Sequence, residues 1–229
     1  MKDPNEVCVV VQARLGSKRT PQKMTRPFAD TTLMDLCVKK LANSRYIPQK
    51  NIYASVYEKE LVDIVSKYNI NIYSRSKESA NSEGTPMSLM YEWWDKLPYK
   101  YCVLVSACAP FLKTDTVENF YKNFLSSKRE GSFGVLEKKN YFWDKDKKII
   151  TPLKEDVMNT KTADVVYEAA HCLYAGRLDT IGQGVWMGDF NDPDSIELFP
   201  MEEKESFDVD YEWQFDRAEL IYNSLRGKE

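Results

Sequence analysis

Short apolar runs alternate with amphipathic stretches over the first 136 residues of the chain. Residues 6–13 (EVCVVVQA) form a continuous Val-rich run. It is too short for a typical helix and reads as a strand buried on both faces. Residues 33–41 follow with apolar side chains at helical spacing. Residues 51–57 (NIYASVY) predict a strand, 58–68 a helix and 70–73 a short strand. A helix carrying Trp93 and Trp94 is predicted over 86–97, and a buried strand over 101–106 (YCVLVS). Residues 114–125 predict a helix with Thr114 as its N-cap and Asp115 in its first turn. Residues 132–136 (SFGVL) predict a fifth strand. This rhythm implies an α/β fold, a mainly parallel sheet with helices on both faces. Ligands bind such folds at the loops beyond the strand C-termini.

The rhythm breaks after Leu136. Residues 138–156 are polar and read as hairpins or an arm. A longer strand is predicted over 163–174, and short ones over 195–201 and 207–209. An amphipathic helix closes the chain over 213–225, with Trp213, Ala218, Leu220, Ile221 and Leu225 available to the core. Without internal repeats, one domain over 1–229 with an inserted β-rich arm near 138–175 is the simplest organisation.

Composition narrows the function classes. The chain has 229 residues, 43% apolar and 29% charged, which suits a globular domain. A net charge of −3 argues against a general nucleic-acid binder. No apolar run approaches the ~18 residues of a membrane span, and no signal-peptide pattern opens the chain. Five Cys without a CxxC pair, and a single His, argue against a zinc site and for reduced thiols. A cytoplasmic protein is expected.

Two constellations carry chemistry. The first strand empties into QARLGSKRTPQK, and residues 12–26 hold Arg14, Lys18, Arg19, Lys23 and Arg26 with no acid. Backbone amides around Leu15, Gly16 and Ser17 and these cations suit a polyphosphate; a solvated basic turn is the alternative. The second is Phe207-Asp208-Val209-Asp210. Two carboxylates two apart on a strand share a face and can reach one cation; alternatively Asp210 simply caps the last helix. Together, a phosphate loop and a distant acid pair are the parts of a nucleotidyl-transfer site.

The opening VVVQARLGSKRTPQKMTRPFADTTLM resembles that of the acylneuraminate cytidylyltransferases, with their A-R-x-x-S-K/R-x-x-x-K motif. The end SFDVDYEWQFDRAE resembles their I-D-I-D-T-x-x-D-F pattern. Arg75-Ser-Lys-Glu-Ser-Ala resembles their R-P-x-E-L-A segment, and VLVSACAPFLKTDTV their L-Q-P-T-S-P-L-R-T stretch and the related KDO cytidylyltransferase turn. The resemblance implies a Rossmann-like nucleotidyltransferase fold. It also implies a Mg²⁺-dependent transfer of CMP from CTP to a sugar acid, with pyrophosphate release, for surface glycans. Arg14, Leu15, Gly16, Ser17, Lys18 and Lys23 would bind the triphosphate, with Arg14 and Lys23 catalytic. Arg75, Ser82 and Ser106 would lie on the nucleotide side, and the segment 81–88 near the cytosine. Asp208 and Asp210 would hold Mg²⁺. Lys161, His171 and Tyr174 are candidate acceptor contacts, and the arm would pack against a second subunit in a homodimer.

The sequence departs from that pattern in places. Ser106 stands where the sialic-acid enzymes have Gln, and Cys108 where the KDO enzymes have a metal-binding Asp. Thr160, Glu168 and Ala169-Ala170-His171 stand where that family carries two Arg and an E-N-G, so the cations expected near an acidic sugar are missing, and a Glu facing a sugar carboxylate would repel it. Transfer to another acceptor, such as a sugar phosphate or small phosphorylated alcohol, is therefore an alternative. So is a non-catalytic nucleotide-binding homologue. A glycosyltransferase with Asp208-Val-Asp210 as its DxD motif is disfavoured by the motif's C-terminal position.

Overall fold

A computed structural model describes residues 1–81, 84–151 and 159–226. Seven strands form one sheet in the order β3-β2-β1-β4-β6-β5-β7. They are β1 (Val7–Gln12), β2 (Ile52–Val56), β3 (Asn71–Ser74), β4 (Tyr101–Val105), β5 (Gly131–Lys138), β6 (Val166–Arg177) and β7 (Ile196–Pro200). Pairings β1–β2, β1–β4, β2–β3 and β5–β7 are parallel, and only β6 runs the other way, between β4 and β5. The mainly parallel α/β fold is therefore present.

The continuous apolar run of β1 is explained by burial on both faces. Val7, Val9 and Val11 face the larger core, built with α1 (Leu33–Ala42), α2 (Lys59–Val65), α4 (Thr114–Ser126) and α5 (Glu212–Arg226). Cys8 and Val10 face a smaller, aromatic layer of Trp93, Ile181 and Trp186. The helix expected over 86–97 is broken there into the single turn α3 (Met87–Met90) and a 3-10 turn, Glu92–Asp95. The break turns Trp93 fully into the core.

Other boundaries shift for identifiable reasons. Thr114 is the first helical residue of α4, not its cap; the Lys113 amide donates instead to the Glu205 carboxylate, 3.1 Å away. The strand expected over 207–209 is extended chain outside the sheet. On α5 the buried residues are Phe215 and Ala218, whereas Trp213, Leu220, Ile221 and Leu225 are exposed. Phe28 sets that rotation: its ring packs edge-on to Phe215 and tilted to Tyr222, at 5.4 and 5.3 Å. In the arm, a bridge between Trp143 and Ile149 closes a short hairpin; residues 152–158 lie outside the described residues. No helix among the described residues is long and apolar enough to cross a membrane.

Lys2 ties the end of α4 down. Its ammonium donates to the carbonyls of Phe124, Ser127 and Arg129 at 3.1, 2.8 and 2.7 Å and lies 4.2 Å over the Phe124 ring. These carbonyls include the helix-terminal acceptors that need partners. Lys2→Ala is expected to cost about 1–3 kcal/mol, read as a lower urea midpoint with an unchanged slope.

Candidate active site

The C-terminal ends of β1, β3 and β4 open onto one cavity of about 550 Å³. Its lining includes Arg14, Ser17, Lys18, Arg19 and Lys23 from the loop after β1, Arg75, Ser79 and Asn81 from the loop after β3, and Cys108 and Asp210. The basic loop is held from below. Its Leu15 amide donates to the Glu58 carboxylate at 2.9 Å, and its Ala13 amide to the Ser55 carbonyl at 3.2 Å. Gln22 carries the positive φ, 54°, at which the loop turns back.

The acid segment closes the far side of this loop. Lys23, nearly buried, donates to the Val209 carbonyl at 2.6 Å and to Asp210 at 3.2 Å. Arg19 pairs with Asp210 at 2.8 Å, and Thr20 donates to the Asp210 carbonyl at 2.9 Å. Arg26 pairs with Glu212 at 2.7 Å and lies 3.7 Å over the Phe215 ring. Asp210 is thus an ion-pair partner and not a helix cap; Gln214 fills that need, its side-chain oxygen accepting the amides of Asp210 and Tyr211, both at 2.8 Å. The Val209 amide donates to the Cys108 carbonyl at 2.9 Å, which pins the acid segment to the loop after β4.

Asp208 precedes this segment and, unlike Asp210, is not in the cavity lining. One of its carboxylate oxygens is buried and, among the described residues, has no hydrogen-bond partner. Burial, and then the Asp210 charge, push its carboxyl above the ordinary range, while Lys23, His171 and Arg19 act the other way. An orphaned buried carboxylate oxygen beside a second carboxylate is a site that lacks a positive partner.

The remaining residues named from sequence divide. Arg75 is buried, but it is committed: it donates to the Ser79 hydroxyl at 3.1 Å, to the Ser79 carbonyl and to the Met90 carbonyl at 3.3 Å. Desolvation lowers its pKa to about 10. It therefore braces the loop after β3 while lining the cavity. Ser106 does not line it; its hydroxyl accepts the Cys108 amide at 3.1 Å. Leu15 and Gly16 are not in the lining, and Ser82 lies outside the described residues. Lys161, His171 and Tyr174 are not in the lining either. His171 occupies an irregularity of β6 at a φ of 54°, with its ring nitrogen 3.3 Å from the Tyr174 hydroxyl. Lys161 is exposed on a short turn. Glu168 is not in the lining; it is exposed and shares Lys138, 3.4 Å away, with Glu203. Arg19 and Gln12 were not singled out from sequence: Arg19 was one cation among five, and Gln12 was hidden in the apolar run.

A family model described as Cytidylyltransferase matches residues 8–180, well over half of the chain. The chain belongs to the cytidylyltransferase family. That match covers the basic loop, the loop after β3 and β6, and ends before Asp208 and Asp210. The Bacillus subtilis (strain 168) spore coat polysaccharide biosynthesis protein SpsF is 31% identical over 68 residues. That stretch is 29% of this chain and 28% of the relative, so only about a quarter of SpsF is matched. Among solved structures, a CMP:2-keto-3-deoxy-manno-octonic acid synthetase complexed with CTP aligns with a TM-score of 0.69 at 10% identity, over 96% of this chain and 99% of that one. The 4-diphosphocytidyl-2C-methyl-D-erythritol synthase of Anaerococcus prevotii DSM 20548 aligns with a TM-score of 0.67 at 11% identity, over 95% and 96%. A cytidylyltransferase from Leptospira borgpetersenii serovar Hardjo-bovis (strain JB197) aligns at 0.59 and 15% identity, over 93% and 85%. At these identities the neighbours establish the nucleotidyltransferase fold of this cytidylyltransferase-family enzyme. The narrower acylneuraminate resemblance is not among these matches.

Proposed function

We propose that this enzyme transfers CMP from CTP to a hydroxyl of a sugar-derived acceptor, a sugar acid or a phosphorylated alcohol, and releases pyrophosphate. One observation carries the reading: Lys23 and Arg19 of the basic loop meet Asp210 of the acid segment across one cavity. Family membership supports CTP as donor, and the SpsF match supports a role in surface polysaccharide assembly.

The acid pair fits Mg²⁺. Among the described residues no cluster of three or more His, Cys, Asp or Glu is placed to hold a metal, so any ion would rest on the Asp208 and Asp210 carboxylates together with substrate and water. Mg²⁺ suits such a site, since it takes one or two carboxylates and completes its shell with water and substrate phosphates. The orphaned Asp208 oxygen is the position that a cation satisfies. Bound there, the ion would neutralise charge on the phosphates. The chain's own residues do the rest. Loop amides and Arg14, Ser17 and Lys18 orient the triphosphate; Lys23 and Arg19 leave Asp210 for the phosphate oxygens and stabilise charge as the pyrophosphate departs. The exposed Trp143 and Ile150 of the arm support the homodimer that the sequence resemblance implies.

Thermal stability with Mg²⁺ and each of CTP, UTP, GTP and ATP tests the nucleotide half. Ligand at about 100 times its Kd adds roughly 2.7 kcal/mol. The expected result is a rise with CTP that disappears on chelation of Mg²⁺. An acceptor screen by pyrophosphate release then tests the transfer. No shift with any nucleotide would leave the basic loop a structural turn.

A further inference from the structure

The cavity has two chemically different walls. One is the cation loop bonded to the acid segment. The other is largely uncharged: Gln12, Ser79, Asn81 and Met90, with the Arg75 guanidinium already engaged by Ser79 and Met90. A nucleoside triphosphate that gives its phosphates to the cations leaves its base to this second wall.

Gln12 is the last residue of β1, and its side chain joins the aromatic layer beneath that wall. The indole N–H of Trp93 donates to the Gln12 side-chain oxygen at 2.8 Å. An indole nitrogen is only a donor, so it must face the amide oxygen and never the amide nitrogen. Trp93 cannot turn away, because it is fully buried and wedged between Tyr91 at 5.5 Å and Trp186 at 6.4 Å. The amide is therefore fixed with its NH₂ pointing away from Trp93. Among the described residues that NH₂ has no protein partner, and Gln12 lines the cavity.

We propose that Gln12 selects the pyrimidine, its Trp93-oriented NH₂ donating to N3 of cytosine. Cytosine has an unprotonated N3 and accepts there. Uracil carries a hydrogen on N3 and would set donor against donor. The inference rests on the proposed use of CTP and adds a specificity-determining residue to it.

Gln12→Glu inverts the arrangement. One carboxylate oxygen still accepts the Trp93 N–H, while the other presents an acceptor where the NH₂ had been. Its extra charge weakens any triphosphate, but equally for CTP and UTP, so the ratio of the two affinities is the readout. Titration calorimetry with MgCTP and MgUTP is expected to give a wild-type preference for CTP of roughly ten-fold or more, the scale of one mispaired buried group. In Gln12→Glu that ratio falls to one or inverts. Gln12→Met removes the donor without adding charge, and its ratio falls toward one, which keeps the test open if the Glu variant does not fold. Equal CTP and UTP binding by the wild type, or variants that lose both nucleotides in parallel, would overturn the assignment of Gln12 and leave the transferase reading standing. A wild type that binds neither nucleotide would overturn both.

Discussion

Asp208→Asn is expected to abolish turnover, by roughly a thousand-fold or more, while the protein stays folded and melts no lower than the wild type. The two halves have one cause. A carboxyl held above its ordinary value by burial and by Asp210 is one whose ionised form costs the fold. For an acid with a raised folded value, that cost is present at neutral pH and disappears as pH falls and the group takes up its proton. The amide carries no charge, so at pH 7 the variant escapes the cost. Its advantage in thermal melting should shrink as the pH is lowered into the carboxylate range. Function needs the charge that stability does not, because the orphaned oxygen is the proposed seat of the cation. A variant that kept turning over would remove Asp208 from the mechanism. A clearly destabilised one would mean that Asp208 is a structural carboxylate.

The centre of the sheet was legible in the sequence because β1, β2 and β4 are short and buried almost throughout, so their apolar runs stand out from the amphipathic helices between them. What failed was whatever depended on a distant partner. The rotation of α5 is decided by Phe28, some 190 residues away, and the local pattern of Trp213, Leu220 and Leu225 pointed elsewhere. The cap of α4 comes from Glu205 and not from Thr114. The candidate site divides along the same line. The basic loop and acid pair are chemical motifs, visible as residue types at fixed spacing. That Lys23 and Arg19 share Asp210, that Arg75 is committed to Ser79, and that Glu168 lies outside the cavity lining are facts of packing. Alignment gives a residue's place in the chain, not the partners of its charge: Glu168 shares Lys138 with Glu203, away from the cavity lining.

Lys23→Met carries the other large effect, and it acts on both binding and fold. Burial alone depresses the Lys23 ammonium, yet Cys108 and Asp210 together carry it above its ordinary value of 10.5. A lysine raised in the folded state contributes stability that is fully present below its unfolded value and is lost as pH rises through the folded one. At pH 7 the variant forfeits that contribution, leaves the Val209 carbonyl without its 2.6 Å donor, and leaves Asp210 to Arg19 alone. A loss of about 1–3 kcal/mol is expected, and the gap to wild type should narrow in denaturant titrations at alkaline pH. Turnover should drop further than stability explains, by roughly a hundred- to a thousand-fold. The measurement that separates the two is kcat/KM at a temperature where both proteins are fully folded. Combining Lys23→Met with Asp210→Asn sharpens it. The double variant should lose less stability than the sum of the two single losses, since each substitution removes the same ion pair. The losses in turnover should not compensate, because the proposed mechanism sends the lysine to the phosphates and the carboxylate to the cation, and each task stays undone.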